Sequence, residues 1–135
     1  MSISFIKDKD AVTVTISKNP SFGSEFYFDR KNQSIEETVD GTLRVYDAGP
    51  TILMGNIILK YVSKTEGDAL ISFIKSTIVF SKETFTIDPP AGTDLGGGAG
   101  VDIQGCNLVE TSIKGMFEYI SPGVYNINIP YRKVV

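Results

Sequence analysis

Three consecutive stretches decide how this chain folds: Ile35-Glu-Glu-Thr-Val-Asp-Gly-Thr-Leu-Arg-Val-Tyr46, Ile52-Leu-Met-Gly-Asn-Ile-Ile-Leu-Lys-Tyr-Val62 and Ser63-Lys-Thr-Glu-Gly-Asp-Ala-Leu-Ile-Ser-Phe-Ile-Lys75. The first carries Asp40-Gly41, a dipeptide that tolerates the positive φ angles of a two-residue type I′ turn and so suits the twist of a β-hairpin. A turn centred there pairs Thr38 with Leu43 and sets Glu37 opposite Arg44, a cross-strand charge pair worth up to about 1 kcal/mol. Leu43 and Val45 then share one face and Arg44 and Tyr46 the other, the alternation of a strand with one side on a core. Glu37, Arg44 and Tyr46 are left to face water or another subunit. The second stretch is long and apolar and reads as a third strand.

The third stretch reads as the one convincing helix. Ser63 followed three residues later by Glu66 is a capping box, in which each side chain satisfies the other's backbone N–H. Ala69, Leu70, Phe73, Ile74 and Thr77 recur at helical spacing, with Lys64, Asp68, Ser72 and Lys75 opposite them. The pattern predicts a flanking helix over about residues 64–77 that buries Leu70, Phe73 and Ile74 against a sheet or the end of a barrel. Gly67 in its first turn costs about 1 kcal/mol relative to alanine. A core-facing role explains this face without a membrane or a partner.

Working outward, Ile3, Phe5, Val12, Val14 and Ile16 alternate as an opening hairpin that Asn19-Pro20 breaks. Phe22, Phe26, Tyr27 and Phe28 cluster as core aromatics. Val79, Phe85 and Ile87 supply further core positions before Asp88-Pro89-Pro90 stops the ladder. Strand character returns after Val101 and ends in a hairpin turned at Pro122-Gly123, whose residues suit a type II turn. The expected architecture is therefore mainly β: an antiparallel β-sandwich or barrel with one flanking α-helix. All 135 residues form one domain, enough chain to bury about two thirds of its unfolded surface.

Composition narrows the function. Cys106 is the only cysteine and the chain has no histidine, which removes a disulfide framework, a Cys–His nucleophile and the commonest general base and metal ligand. The expectation is a protein that is not an enzyme and has no cofactor and no metal. A net charge of −3 argues against sequence-independent nucleic-acid binding, which needs a basic face to release counterions. No apolar run is long enough to span a bilayer, and the first residues lack the basic start and apolar core of a secretion signal.

Several candidate sites have ordinary explanations. Gly96-Gly-Gly-Ala-Gly100 suggests a phosphate cradle, but that motif requires a following helix and a Lys-Ser/Thr pair, whereas Val101-Asp-Ile-Gln104 is strand-like. It reads instead as a mobile loop ordered against a neighbouring subunit. Asp88, Asp94 and Asp102 match no calcium-loop spacing and read as solvated turn carboxylates. Glu36 and Glu37 are neighbours in a strand and point to opposite faces, so they form no catalytic pair. Six tyrosines without a tryptophan offer a weak sugar platform.

Val39-Asp-Gly-Thr-Leu-Arg-Val-Tyr-Asp47, the strand Ile52 to Val62, the helix Ser63 to Ile74, Phe85-Thr-Ile-Asp88 before a variable loop, and the final hairpin follow one another in an order that resembles small structural proteins of bacteriophage tails. The resemblance is to the tail-tube-like fold of tail tube, tail terminator and distal-tail or baseplate-hub proteins. It implies a virion structural protein, made in the host cytoplasm, that assembles with copies of itself in a hexameric ring and with other tail proteins. DNA would pass through the ring without specific binding, and no membrane would be involved. On that implication Glu37, Asp40, Arg44, Tyr46, Gly97 and Gly98 lie at subunit interfaces. Glu36, Glu37 and Asp40 would face the channel, where negative charge keeps DNA from sticking. The alternative is a carbohydrate- or ligand-binding β-sandwich module, which predicts a monomer with clustered exposed tyrosines.

Overall fold

A computed structural model describes residues 2–21, 24–30, 33–47 and 49–135; Phe22, expected in the core, lies outside the described residues. The strands are β1 (Ile3–Lys7), β2 (Thr13–Ile16), β3 (Glu25–Arg30), β4 (Gln33–Glu37), β5 (Leu43–Asp47) and β6 (Thr51–Ser63), followed after the helix by β7 (Phe85–Asp88), β8 (Ile103–Leu108), β9 (Phe117–Ser121) and β10 (Val124–Val134). Helix α1 (Lys64–Ser72) runs on into a π-helical turn, Phe73–Thr77, so the helical segment spans the residues that the spacing predicts.

The fold is mainly β and antiparallel with one helix, as the alternation demands. The main sheet runs β2-β1-β7-β8-β10-β6-β3, with β9 also paired to β10, and β4-β5 form a separate two-stranded unit. The main sheet is open, with β2 and β3 as edges, so the barrel alternative does not form. Strand β8 makes the corner: Ile103 and Cys106 pair with β7, whereas Asn107 and Leu108 pair with β10. A strand that changes partners in this way joins two layers of a sandwich-like body.

Inward-facing positions of β1, β6, β7 and β10 meet the helix in one cluster, with Phe5, Ile57, Leu59, Leu70, Phe73, Phe85 and Ile127 all buried. Phe85 lies edge-on to Phe73, with ring centroids 6.5 Å apart. Within the body, expectation and structure part at four places. Val12 and Val79 are exposed and Ile78 is buried instead. The π turn adds a residue, so that the Ile78 N–H bonds the Phe73 carbonyl, and Val79 and Phe80 then take φ angles of 48° and 55° to reverse the chain. Ala69 is also exposed. Tyr27, on the opposite face of edge strand β3 from Phe26, is exposed; Phe28 shares the face of Phe26 and meets its ring edge-on at 6.1 Å, yet is exposed too, so only Phe26 packs on the core.

The helix start is half a capping box. Ser63 Oγ accepts from the Glu66 N–H at 3.4 Å, but the Glu66 carboxylate accepts from the Ser17 N–H at 2.8 Å, tying the helix to the chain leaving β2. Gly67 has a packing reason, since a Cβ there would sit 2.4 Å from the Tyr125 ring. The approach is too close for any side chain.

The glycine-rich loop, whose composition looks too flexible to pack on its own, is packed against its own chain. Asp94 Oδ1 accepts from the N–H groups of Gly96 and Gly98 at 2.8 and 3.0 Å. Leu95 is buried in the core, and its carbonyl accepts from the Tyr131 hydroxyl at 2.5 Å. At Gly96, with φ +116°, a Cβ would lie 2.7 Å from the Leu53 methyls. These glycines permit close approach.

Candidate functional site: a projecting arm

Strands β3 and β6 pair from Glu25–Asn56 to Arg30–Thr51, and β4 and β5 prolong that edge as a two-stranded arm. The Arg30 guanidinium clamps the arm's base, donating to both carboxylate oxygens of Asp47 at 2.8 and 2.5 Å and to Thr51 Oγ1 at 3.0 Å. This two-point geometry is the strong form of a carboxylate–guanidinium contact. Hydrogen bonding to Arg30 holds the Asp47 carboxyl below its usual range. Sequence reasoning missed this pair, because seventeen residues separate the two and no local pattern marks them.

At the tip the Gly41 N–H bonds the Thr38 carbonyl at 2.9 Å and the Thr38 N–H bonds the Thr42 carbonyl at 2.8 Å. Of the three loop residues only Gly41 has a positive φ, +83°, so the connection is a three-residue loop closed by a left-handed glycine. Asp40-Gly41 is not the central pair of a two-residue turn. The register moves by one: Glu36 opposes Arg44, and Glu37 opposes Leu43. Glu37 therefore shares its face with Ile35, Leu43 and Val45, while Glu36, Arg44 and Tyr46 share the other.

A second correction concerns the expected core. Every residue of both arm strands is exposed, including Ile35 at 65%, Leu43 at 59% and Val45 at 52%, and Val39 is fully open at the tip. A lone two-stranded hairpin is marginally stable in water, and this one offers an apolar stripe that the described residues of its own chain leave exposed. Asp40 is occupied at the turn, where Oδ1 accepts from the Thr38 hydroxyl and from the Thr42 N–H at 3.1 Å. These bonds, the one from Thr38 foremost, hold its carboxyl below the ordinary range. Asp40 shapes the loop and keeps the tip negative.

Glu36, Glu37, Asp40, Arg44 and Tyr46 thus come together on the arm, whereas Gly97 and Gly98 belong to the loop on the body. The tyrosines form no common platform. Tyr131 is fully buried, Tyr125 packs on Gly67 and donates to Asp68 at 3.1 Å, Tyr119 lies tilted against Tyr125 at 5.4 Å, and Tyr27, Tyr46 and Tyr61 are exposed on β3, β5 and β6. Among the described residues no group of three His, Cys, Asp or Glu side chains is placed to hold a metal ion. Asp94 is spent inside its own loop. Asp88 and Asp102 sit across the end of the β7–β8 ladder, and burial, followed by the Asp102 carboxyl, raises the Asp88 pKa. Cys106 is buried, and that burial pushes its thiol up to about 12.

No family model matches this chain, and no curated protein matches it.

Proposed function

We propose that this chain is a structural component of a bacteriophage tail, at the tube, the tube–baseplate junction or the tail tip, where it joins a ring around the DNA channel. The observation that supports this reading best is the arm, a hairpin that leaves Ile35, Leu43 and Val45 uncovered and is rooted on an open sheet edge. Such a surface is completed by partner copies or companion proteins, and natural sheets otherwise blunt their edges. The acidic side chains Glu36 and Glu37 and the tip carboxylate of Asp40 suit a wall that DNA slides past. The tail assignment itself comes from the order of elements that resembles tail-tube-like proteins.

Two measurements test the proposal. Antibody-labelled electron microscopy of phage particles from a producing lysate is expected to place the chain on tails; particles without label overturn the tail assignment. Light scattering on the purified chain mixed with tail extract is expected to show it in a large assembly that the paired variant Leu43→Ser with Val45→Ser does not enter. Entry of that variant at the native level overturns the role of the arm.

A further inference from the structure

On the sheet face away from the core, a cleft of about 290 Å³ opens between β6, β9 and β10, lined by Ile58, Lys60, Met116, Glu118, Asn126 and Asn128. Its composition follows from register. Glu118 pairs directly with Asn126, and Ile58 with Asn128. The ladder slips between Tyr125–Val62 and Ile127–Leu59, which sets the bulged pair Lys60 and Tyr61 opposite Asn126. Phe117, Tyr125, Ile127 and Leu59 face inward, so Glu118, Asn126 and Lys60 stand in one outward row across three strands. At two strand spacings, the ends of that row are about 10 Å apart.

Among the described residues, Lys60 and Glu118 enter no ion pair. Asn126 is oriented: its Oδ1 accepts from the Tyr61 N–H at 3.2 Å, which fixes the amide and leaves its NH₂ group as a donor. Asn128 adds a second amide over a floor of Ile58 and Met116. Few polar groups converging on an apolar floor are the usual makings of a small-ligand site. The row has an anion at one end, a cation at the other and an amide between them. Among the described residues no aromatic ring lines it, so they offer no surface for sugar stacking here.

We propose that this cleft binds a short zwitterionic peptide lying across the strands. Its ammonium group bonds the Glu118 carboxylate, its carboxylate bonds the Lys60 ammonium, and a central peptide carbonyl accepts from the Asn126 amide. An extended tripeptide spans about 10 Å, which matches the row. The site is separate from the arm, and its occupancy does not depend on the tail reading.

The test is an NMR titration of the full chain with trialanine, with N-acetyl-trialanine-amide and glucose as comparison probes. Saturable shifts centred on Lys60, Glu118, Asn126 and Asn128 are expected with trialanine alone. The single variants Lys60→Met and Glu118→Gln, both at exposed positions, are expected to weaken it by roughly tenfold, the loss of one charge-assisted hydrogen bond, with the amide spectrum elsewhere unchanged. The proposal is overturned if trialanine gives no saturable shifts there, if the blocked peptide or glucose binds equally well, or if both variants bind within twofold of the native chain.

Discussion

The loop 91–100 and the arm 33–47 teach opposite lessons. The loop is half glycine and looks unable to pack, yet Leu95 plugs the core, Asp94 gathers two amides, and Tyr131 holds the Leu95 carbonyl. The arm has the alternation of a well-buried strand, yet every residue of β4 and β5 is exposed. Composition measures how close a backbone can come to its neighbours, and alternation measures only that two faces differ. Neither says whether a neighbour is supplied by the same chain.

That contrast breaks first at Tyr131. Tyr131→Ala is expected to cost about 3–5 kcal/mol in urea unfolding, the usual loss for a large buried aromatic. Tyr131→Phe, which only strands the Leu95 carbonyl, is expected to cost about 1–3 kcal/mol. A loop held independently of the core would lose nothing in the second variant. Next comes Gly67→Ala. In an exposed helix this exchange gains about 1 kcal/mol, but against the Tyr125 ring it is expected to destabilise by about 1–3 kcal/mol through overpacking. A gain would mean that the helix sits farther from β10 than described.

The arm should answer differently. Leu43→Ser with Val45→Ser is expected to leave the unfolding free energy of the isolated chain within about 0.5 kcal/mol, as for exposed positions, while abolishing entry into assemblies. A substantial loss in the isolated chain would mean that the stripe is already covered within one copy. The smallest effect is one of pH. Because the Asp47 carboxyl is held low by Arg30, its contribution to the arm's base is present above the ordinary carboxylate value of about 3.9. It is lost as pH falls through the lowered folded value. Hydrogen-exchange protection of the arm amides is expected to fall over that window in the native chain and to be low at all pH values in Arg30→Ala, with β1 and β7 unaffected. Asp88 has the opposite sign. Its raised pKa gives stability at low pH that is lost as pH rises through the folded value, and Asp88→Asn should flatten that slope.

Much of the body was legible in the sequence. The helix was, because a cap, an apolar stripe and a length agreed, and burial of Leu70, Phe73 and Ile74 followed. The closing turn was, because Pro122 fixes one φ and Gly123 supplies the positive one at +82°. The arm's register was missed by one residue because Asp-Gly fits both a two-residue turn and the last two positions of a three-residue loop, and only the hydrogen bonds from Thr38 and Gly41 separate the two. Val79 was misplaced because a π turn shifts the phase of everything after it. The Arg30–Asp47 clamp and the Lys60–Asn126–Glu118 row depend on which strands become neighbours, and spacing along the chain holds no trace of that.

Cys106 gives the molecule a built-in clock. As the sole thiol, enclosed at the corner where β8 passes from one layer to the other and held protonated at neutral pH, it meets a disulfide reagent only when the layers separate. The labelling rate of the untouched chain therefore times the opening of that corner, while a cysteine introduced at Val39 would react at once and report on the tip alone.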